Sequence, residues 1–190
     1  MKELSLNILD IAKNSVKAKA TKVSVTLNET DDTFEMIIAD NGCGMKQDFL
    51  LTVTDPFSTT RTTRKVGMGI PLLKLAAEQT GGSFGITSVH ESESENHGTE
   101  TRALFYKNSV DFTPLGDIVS TIVTLIQGSP DIRWVFTHSM PRGDVTLDTD
   151  ELKAVLGEDV PLDNIEVIMW IKGYLEEAYG QSKKLYSNVH

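Results

Sequence analysis

The spacing of apolar residues changes once between residues 4 and 39, and that change limits what the chain can fold into. Over residues 4–19, Leu6, Leu9, Ala12 and Val16 recur at steps of three and four, the period of an amphipathic helix. Val23, Val25 and Leu27 then alternate with Lys22, Ser24 and Thr26, the period of a half-buried strand. A polar turn over residues 28–33 leads to a second strand over 34–39, stopped by Asp40-Asn-Gly-Cys-Gly44. Pro71 suits the first turn of another helix, closed by Gly81-Gly82, and strands are expected over 83–90 and 99–106. Helix, strand, strand, helix, strand, strand is an α+β order, with helices on one face of a mostly antiparallel sheet.

After Asn108 the pattern restarts: a helix over 114–127, strands over 132–137 and 144–147, and helices over 149–156 and 164–179. This divides the chain into residues 1–110 and a small α/β domain over 111–190, an accessory or partner-binding unit. Ile118, Val119, Ile122, Val123 and Ile126 mark the buried face of its first helix. The charge of −9 divides unevenly. Residues 1–110 carry 12 Lys/Arg against 14 Asp/Glu, a net of −2, and residues 111–190 carry 6 against 13, a net of −7. An acidic second part repels phosphate backbones, which argues against nucleic acid as a partner. No apolar run is long enough to span a bilayer, and acidic and polar residues interrupt the N-terminal segment, so neither membrane insertion nor a signal peptide is expected. The expected location is cytoplasmic. The single cysteine, Cys43, has no partner for a disulfide or a zinc site.

The polar clusters fall at the ends of these elements. Asp10 and Asn14 stand four apart on one face of the first helix. An exposed polar face satisfies that spacing; so does a magnesium ligand at Asn14, whose amide oxygen is a hard donor, with Asp10 as a general base. In Asp40-Asn-Gly-Cys-Gly-Met45 the glycines let backbone approach a flat ligand, and the carboxylate accepts from an exocyclic amine. A tight turn would use the same residues, whereas a calcium loop lacks its alternating acidic positions and closing Glu. Gly67-Met68-Gly69-Ile70-Pro71 leads into a helix N-terminus, where exposed N–H groups suit a phosphate. It is neither a Walker A loop nor a dinucleotide fingerprint. Residues 55–65, rich in Ser, Thr and Arg, read as a loop, and residues 91–98 as a solvated loop between strands. His90, His97, His138 and His190 read as surface or strand residues.

Taken in order, these pieces resemble the GHKL ATPases, the Bergerat fold. Residues 8–20 look like the N box. The run from Ala18 to Val25, leading to Asp40-Asn-Gly-Cys-Gly-Met45, is similar to MutL-type mismatch-repair ATPases. Asp55-Pro-Phe-Ser-Thr-Thr-Arg61 resembles the histidine kinase F box, and Lys65-Val-Gly-Met-Gly-Ile-Pro-Leu72 their second glycine box. Gly98-Thr99 matches the family's last adenine-side pair. The likeness covers about residues 4–108. It implies a two-layer α/β sandwich and a site for ATP and Mg2+. Asn14 would hold the metal, Asp40 the adenine amine with Thr99 nearby, and Gly42, Gly44 and Met45 the shape of the pocket. Gly67 and Gly69 would wrap the phosphates, with Met68 and Ile70 in the same box. Arg61, Arg64 and Lys65 would sit on the ATP lid, where they either neutralise phosphate or belong to a solvated loop.

The departures from the family bear on the reaction. Histidine kinases often carry Asn where this chain has Asp10, and hydrolytic members and anti-sigma serine kinases carry Glu. No helical hairpin with a phospho-accepting histidine precedes the N box, so autophosphorylation on histidine is not expected. No transducer-like second domain follows. The leading expectation is an ATP-dependent regulator that phosphorylates a protein partner in trans, resembling anti-sigma kinases; a homodimer is compatible with it. The alternatives are an ATP-hydrolysing conformational switch and a non-catalytic nucleotide-binding module. The chain also resembles stand-alone ATP-binding proteins of anaerobic bacteria found alongside iron-only hydrogenases.

Overall fold

A computed structural model describes residues 3–54, 68–157 and 160–187, with side chains to residue 181. The amphipathic segment forms α1 (Leu4–Lys17), and the alternating segments form β1 (Lys22–Glu29) and β2 (Thr33–Asp40). A short helix absent from the sequence reading, α2 (Gln47–Leu50), follows. Next come α3 (Gly69–Gln79), β3 (Ser83–Val89) and β4 (Gly98–Tyr106). The remaining elements are α4 (Ile118–Gly128), β5 (Arg133–Met140), β6 (Gly143–Asp148), α5 (Thr149–Leu156) and α6 (Ile165–Ser187). Pro71 lies in the first turn of α3, where its missing N–H leaves no helical bond unmade.

The strands form one six-stranded sheet in the order β3-β4-β2-β1-β5-β6. Every pairing is antiparallel except β1 with β5. Register follows the buried stripe. Val25 lies opposite both Ile38 and Phe136, Phe34 opposite Phe105, and Met36 opposite Ala103. All seven are at most 2% exposed, whereas the alternate positions Ser24, Glu35, Ile37 and Val135 are half-buried. A slip of one residue would expose the whole stripe, so this register is strongly specified. Each fully buried Phe or Ile contributes on the order of 1.5–3 kcal/mol.

Helices cover only the buried face, giving an α+β fold of two layers. α1 lies over β1 and β2, α3 over β3 and β4, and α6 over β6, while α4 packs between α1 and α6. Residues 111–190 thus add strands and helices to the layers begun by residues 1–110, and the division expected at residue 110 falls between strands of one sheet. The backbone ties the two parts together as well. Leu4 and Ser5 at the start of α1 donate their N–H groups to the carbonyls of Pro114 and Leu115, 2.9 and 2.8 Å away. These bonds serve a helix whose N-cap, Glu3, makes no side-chain cap bond. Among the described residues, no helix is long and apolar enough to cross a membrane.

A partly buried polar cluster lies at the end of the sheet where β1 finishes. Lys107 donates to Glu29 Oε1 at 2.7 Å, and His138, 1% exposed, pairs its Nδ1 with the Tyr179 hydroxyl at 2.8 Å. His138 Nε2 lies 3.3 Å from Glu29 Oε2 but off the line of a formed hydrogen bond, so the Lys107 ion pair is the better-formed contact. His138 first, then Lys107, hold the Glu29 carboxyl down to about 2 against the opposing effect of burial. Burial pushes the Tyr179 phenol well above its usual range.

Because the Glu29 carboxyl is depressed on folding, its stabilisation is complete above its ordinary value of 4.5 and is lost as pH falls through about 2. Urea midpoints measured across that window should fall for the wild type and fall less steeply for Glu29→Gln. Equal slopes would show that other carboxyls carry the acid sensitivity.

Candidate functional site

β2, an interior strand, delivers Asp40 to one end of the sheet beside the last turns of α1, and the carboxylate is held on both oxygens. Oδ2 accepts from the Ser15 hydroxyl at 2.6 Å, and Oδ1 from the Gly42 N–H at 2.9 Å. Ser15 is 3% exposed, so this charge-assisted bond is largely shielded from water. Thr99 lies directly opposite Asp40 across the β2–β4 ladder. Period two then puts Ile38 and Thr101 on the same face, one step further in.

The turn after Asp40 folds back on α1. Cys43 N–H donates to the Ala18 carbonyl at 2.9 Å, and Asn41 Oδ1 accepts from the N–H groups of Thr21 and Lys22, both at 2.9 Å. His97 Nδ1 lies 2.5 Å from the Gly42 carbonyl, which ties the 91–98 loop to this turn. Two glycines are sterically required. Gly44 has φ +66°, and a Cβ there would stand 1.9 Å from the Val89 carbonyl oxygen. Gly98 has φ +141°, and a Cβ there would stand 1.9 Å from the Asp40 carbonyl oxygen. Backbone is packed on backbone at both points, which only glycine permits.

These elements enclose a cavity of about 350 Å³. Asn14, Ser15 and Lys17 of α1 form one wall, and Ile38, Asp40, Thr99 and Thr101 form the floor. Met45, Phe49 and Val53 close the opposite side, and Ile70 reaches in from α3. A cavity of this kind, apolar with a few convergent polar groups, suits a small ligand with a flat ring. Lys17 is the one cation among the described residues of its wall.

Of the residues singled out in the sequence, Asn14, Asp40, Gly44, Met45, Ile70 and Thr99 line this cavity together. Gly42 is buried behind it, against Ala18. Met68 is 62% exposed at the N-cap of α3 and does not line it. Asp10 is exposed and lies beside Gly69, where an added Cβ would come 3.1 Å from Asp10 Cβ. Asp10 is therefore beyond the Asn14 end of the cavity rather than on its wall. Arg61, Arg64, Lys65 and Gly67 lie outside the described residues. One turn before Asp10, Asn7 is 1% exposed and neither atom of its side-chain amide has a partner among the described residues. Such a group costs roughly 1–3 kcal/mol.

The sequence reading did not find Ser15, Lys17, Ser88 or the contact made by His97. Ser15 and Lys17 follow Asn14 on the same helix, and Thr101 stands two residues after Thr99 in the same strand, where period two returns it to the same face. Ser88 carried no local signal, because its partners are Met45, Gly98 and Thr99.

Residues 2–109 match the family described as histidine kinase-, DNA gyrase B-, and HSP90-like ATPase. A Rickettsia conorii protein described as an NtrY-like sensor histidine kinase is 27% identical over 94 residues, which are 49% of this chain and 15% of that protein. The fold is similar to the N-terminal domain of a DNA repair protein, with TM-score 0.52 and 14% identity over 78% of this chain and 53% of that one. It is also similar to the Aquifex aeolicus MutL ATPase domain complexed with ADP, with TM-score 0.50 and 16% identity over 82% of this chain and 69% of that one. The chain thus spans about half of the DNA repair structure and a small part of the curated relative.

Gly44→Ala should lower the unfolding free energy by about 1–3 kcal/mol, from the positive φ and the Val89 contact together. Gly173→Ala, mid-helix in α6 with open space around it, should be neutral or stabilise by up to about 1 kcal/mol. Chemical denaturation of both variants checks the pair; equal effects would mean that the turn accommodates a side chain.

Proposed function

This chain belongs to the histidine kinase-, DNA gyrase B- and HSP90-like ATPase family, and on that premise we propose that it binds magnesium-ATP in the cavity floored by Asp40 and phosphorylates a partner protein in the cytoplasm. The observation that carries the reading is the Asp40 carboxylate, fixed by Ser15 and Gly42 at the floor of a cavity of about 350 Å³. Its orientation is set before any ligand arrives, which reduces the ordering lost on binding. Its remaining lone pairs suit the exocyclic amine of adenine. Ile38, Ile70 and Met45 supply apolar surface for the ring.

Asn14 would hold the magnesium through its amide oxygen, a donor of the type that ion prefers. The ion would neutralise phosphate charge. Lys17 faces the same cavity and adds a cation at that wall. Gly67, Gly69, Arg61, Arg64 and Lys65 would complete the phosphate side. Asp10 lies past Asn14 on the same helix, and its carboxylate would take the proton of the attacking serine hydroxyl or water. The acidic residues 111–190 would form the partner-binding side, a role that their charge of −7 fits better for a protein than for nucleic acid.

Calorimetry should detect ATP binding to the wild type in the presence of magnesium, and Asp40→Asn should weaken it by about a hundredfold or more, since an amide N–H then meets the adenine amine. Unchanged affinity would remove Asp40 from the adenine pocket. Asp10→Ala should leave that affinity within about threefold and reduce turnover by roughly 10²–10⁴; equal turnover would deny Asp10 a catalytic role. With γ-labelled ATP, label transferred to a protein supports phosphotransfer, whereas free phosphate alone identifies an ATP-hydrolysing switch.

A further inference from the structure

We propose that Ser88 sets the hydrogen-bond polarity of Thr99, and that this makes the cavity select a purine carrying a 6-amino group over one carrying a 6-keto group. The proposal rests on the reading of the cavity as the ATP site. Ser88 is 7% exposed on β3 and does not line the cavity. Its hydroxyl nevertheless meets three groups that do or that shape it. Oγ accepts from the Met45 N–H at 2.8 Å, donates to the Gly98 carbonyl at 3.0 Å, and lies 2.8 Å from Thr99 Oγ1.

A serine hydroxyl has one proton and two lone pairs. The Met45 N–H can only donate, and so occupies one lone pair. The Gly98 carbonyl can only accept, and so takes the proton. One lone pair remains for Thr99, which must therefore donate its own proton to Ser88. This assignment alone satisfies every contact, and buried polar groups are rarely left otherwise. Thr99 then turns only lone pairs towards the cavity.

Asp40, opposite Thr99 on the floor, also offers acceptors only. The Ser15 hydroxyl and the Gly42 N–H leave this unchanged, because both already donate to the carboxylate, Ser15 from the cavity wall and Gly42 from behind it. The two polar groups at this end of the floor therefore present lone pairs side by side. A 6-amino group brings protons to them. A 6-keto oxygen brings more lone pairs, with no proton between it and either residue. Ser88 reaches the ligand only through Thr99, which makes it a positioning residue.

Affinities of the full chain for ATP and ITP, each with magnesium, test this by calorimetry. The wild type should prefer ATP. Ser88→Ala frees the Thr99 proton to turn into the cavity and should narrow the ATP/ITP ratio by about tenfold. Ser88→Thr retains the hydroxyl and should keep the wild-type ratio. Thr99→Val and the double variant Ser88→Ala/Thr99→Val should share one ratio, since with no Thr99 hydroxyl there is nothing for Ser88 to orient. If Ser88→Ala does not fold, Ser88→Cys, whose thiol is a weak donor and acceptor, should narrow the ratio in the same direction. A ratio unchanged in a folded Ser88 variant, with both affinities reduced alike, would overturn the proposal and leave Ser88 a structural residue. Independent effects of the two substitutions would overturn it too. A wild type that binds ATP but does not prefer it to ITP also counts against the proposal and leaves the ATP reading intact, whereas a wild type that binds neither nucleotide removes that reading itself.

Discussion

The hydrogen bond from Ser15 to Asp40, 2.6 Å long and joining residues 25 apart in sequence, fastens the helical layer to the sheet at the point where the cavity opens. Around it the chain is stitched repeatedly. Cys43 N–H reaches the Ala18 carbonyl, Ala20 N–H reaches the Ser15 carbonyl, and Asn41 accepts from two successive backbone groups at the start of β1. The end of α1, the start of β1 and the end of β2 are thereby one rigid corner. Ionised carboxylates are costly to bury without donors, and here Asp40 has two. Its position is a consequence of how the corner closes.

The corner also explains why glycine recurs where it does. The turn after β2 must pass close to β3 on one side and α1 on the other, and β4 must begin against the carbonyl of Asp40. At Gly44 and Gly98 the neighbouring atom is backbone carbonyl oxygen, which cannot move aside as a side chain would. The same closeness brings Ser88 within reach of Met45, Gly98 and Thr99 at once. Shape and hydrogen-bond polarity in the cavity thus have one origin.

At the other end of α1, residues 111–190 take over the supporting role. The Pro114 and Leu115 carbonyls receive the first N–H groups of the helix, α4 packs along it, and β5 extends the sheet beside β1. A parallel strand needs a crossover connection, and α4 supplies it while sharing its apolar face with α1 and α6. The helix that carries Asp10 and Asn14 is therefore braced at its N-terminus by the second part of the chain and at its C-terminus by the Asp40 corner.

Local periodicity was enough to determine most elements of this protein. Leu6, Leu9, Ala12 and Val16 mark the first helix by their period, although Leu6 is exposed and the buried face runs through Leu4, Ile8, Ile11 and Ala12. Val23, Val25 and Leu27 mark the first strand, and Ile118, Ile122 and Ile126 the helix of the second part, because burial on one face imposes its period on the residues themselves. Asn14, Asp40, Gly44 and Thr99 were legible as a set, because their order along the chain matches a known arrangement and the structure brings all four to one cavity. What periodicity does not encode is the distance between elements. The four-residue α2 is too short to show a period. The continuation of the sheet from β1 into β5 joins residues more than a hundred positions apart. Asp10, legible as one helical turn from Asn14, turned out to face Gly69 beyond the cavity wall. Ser15, Ser88 and His97 acquire their partners only when the corner closes, since hydrogen bonds across 10 to 55 residues depend on how layers pack and leave no mark on neighbouring sequence.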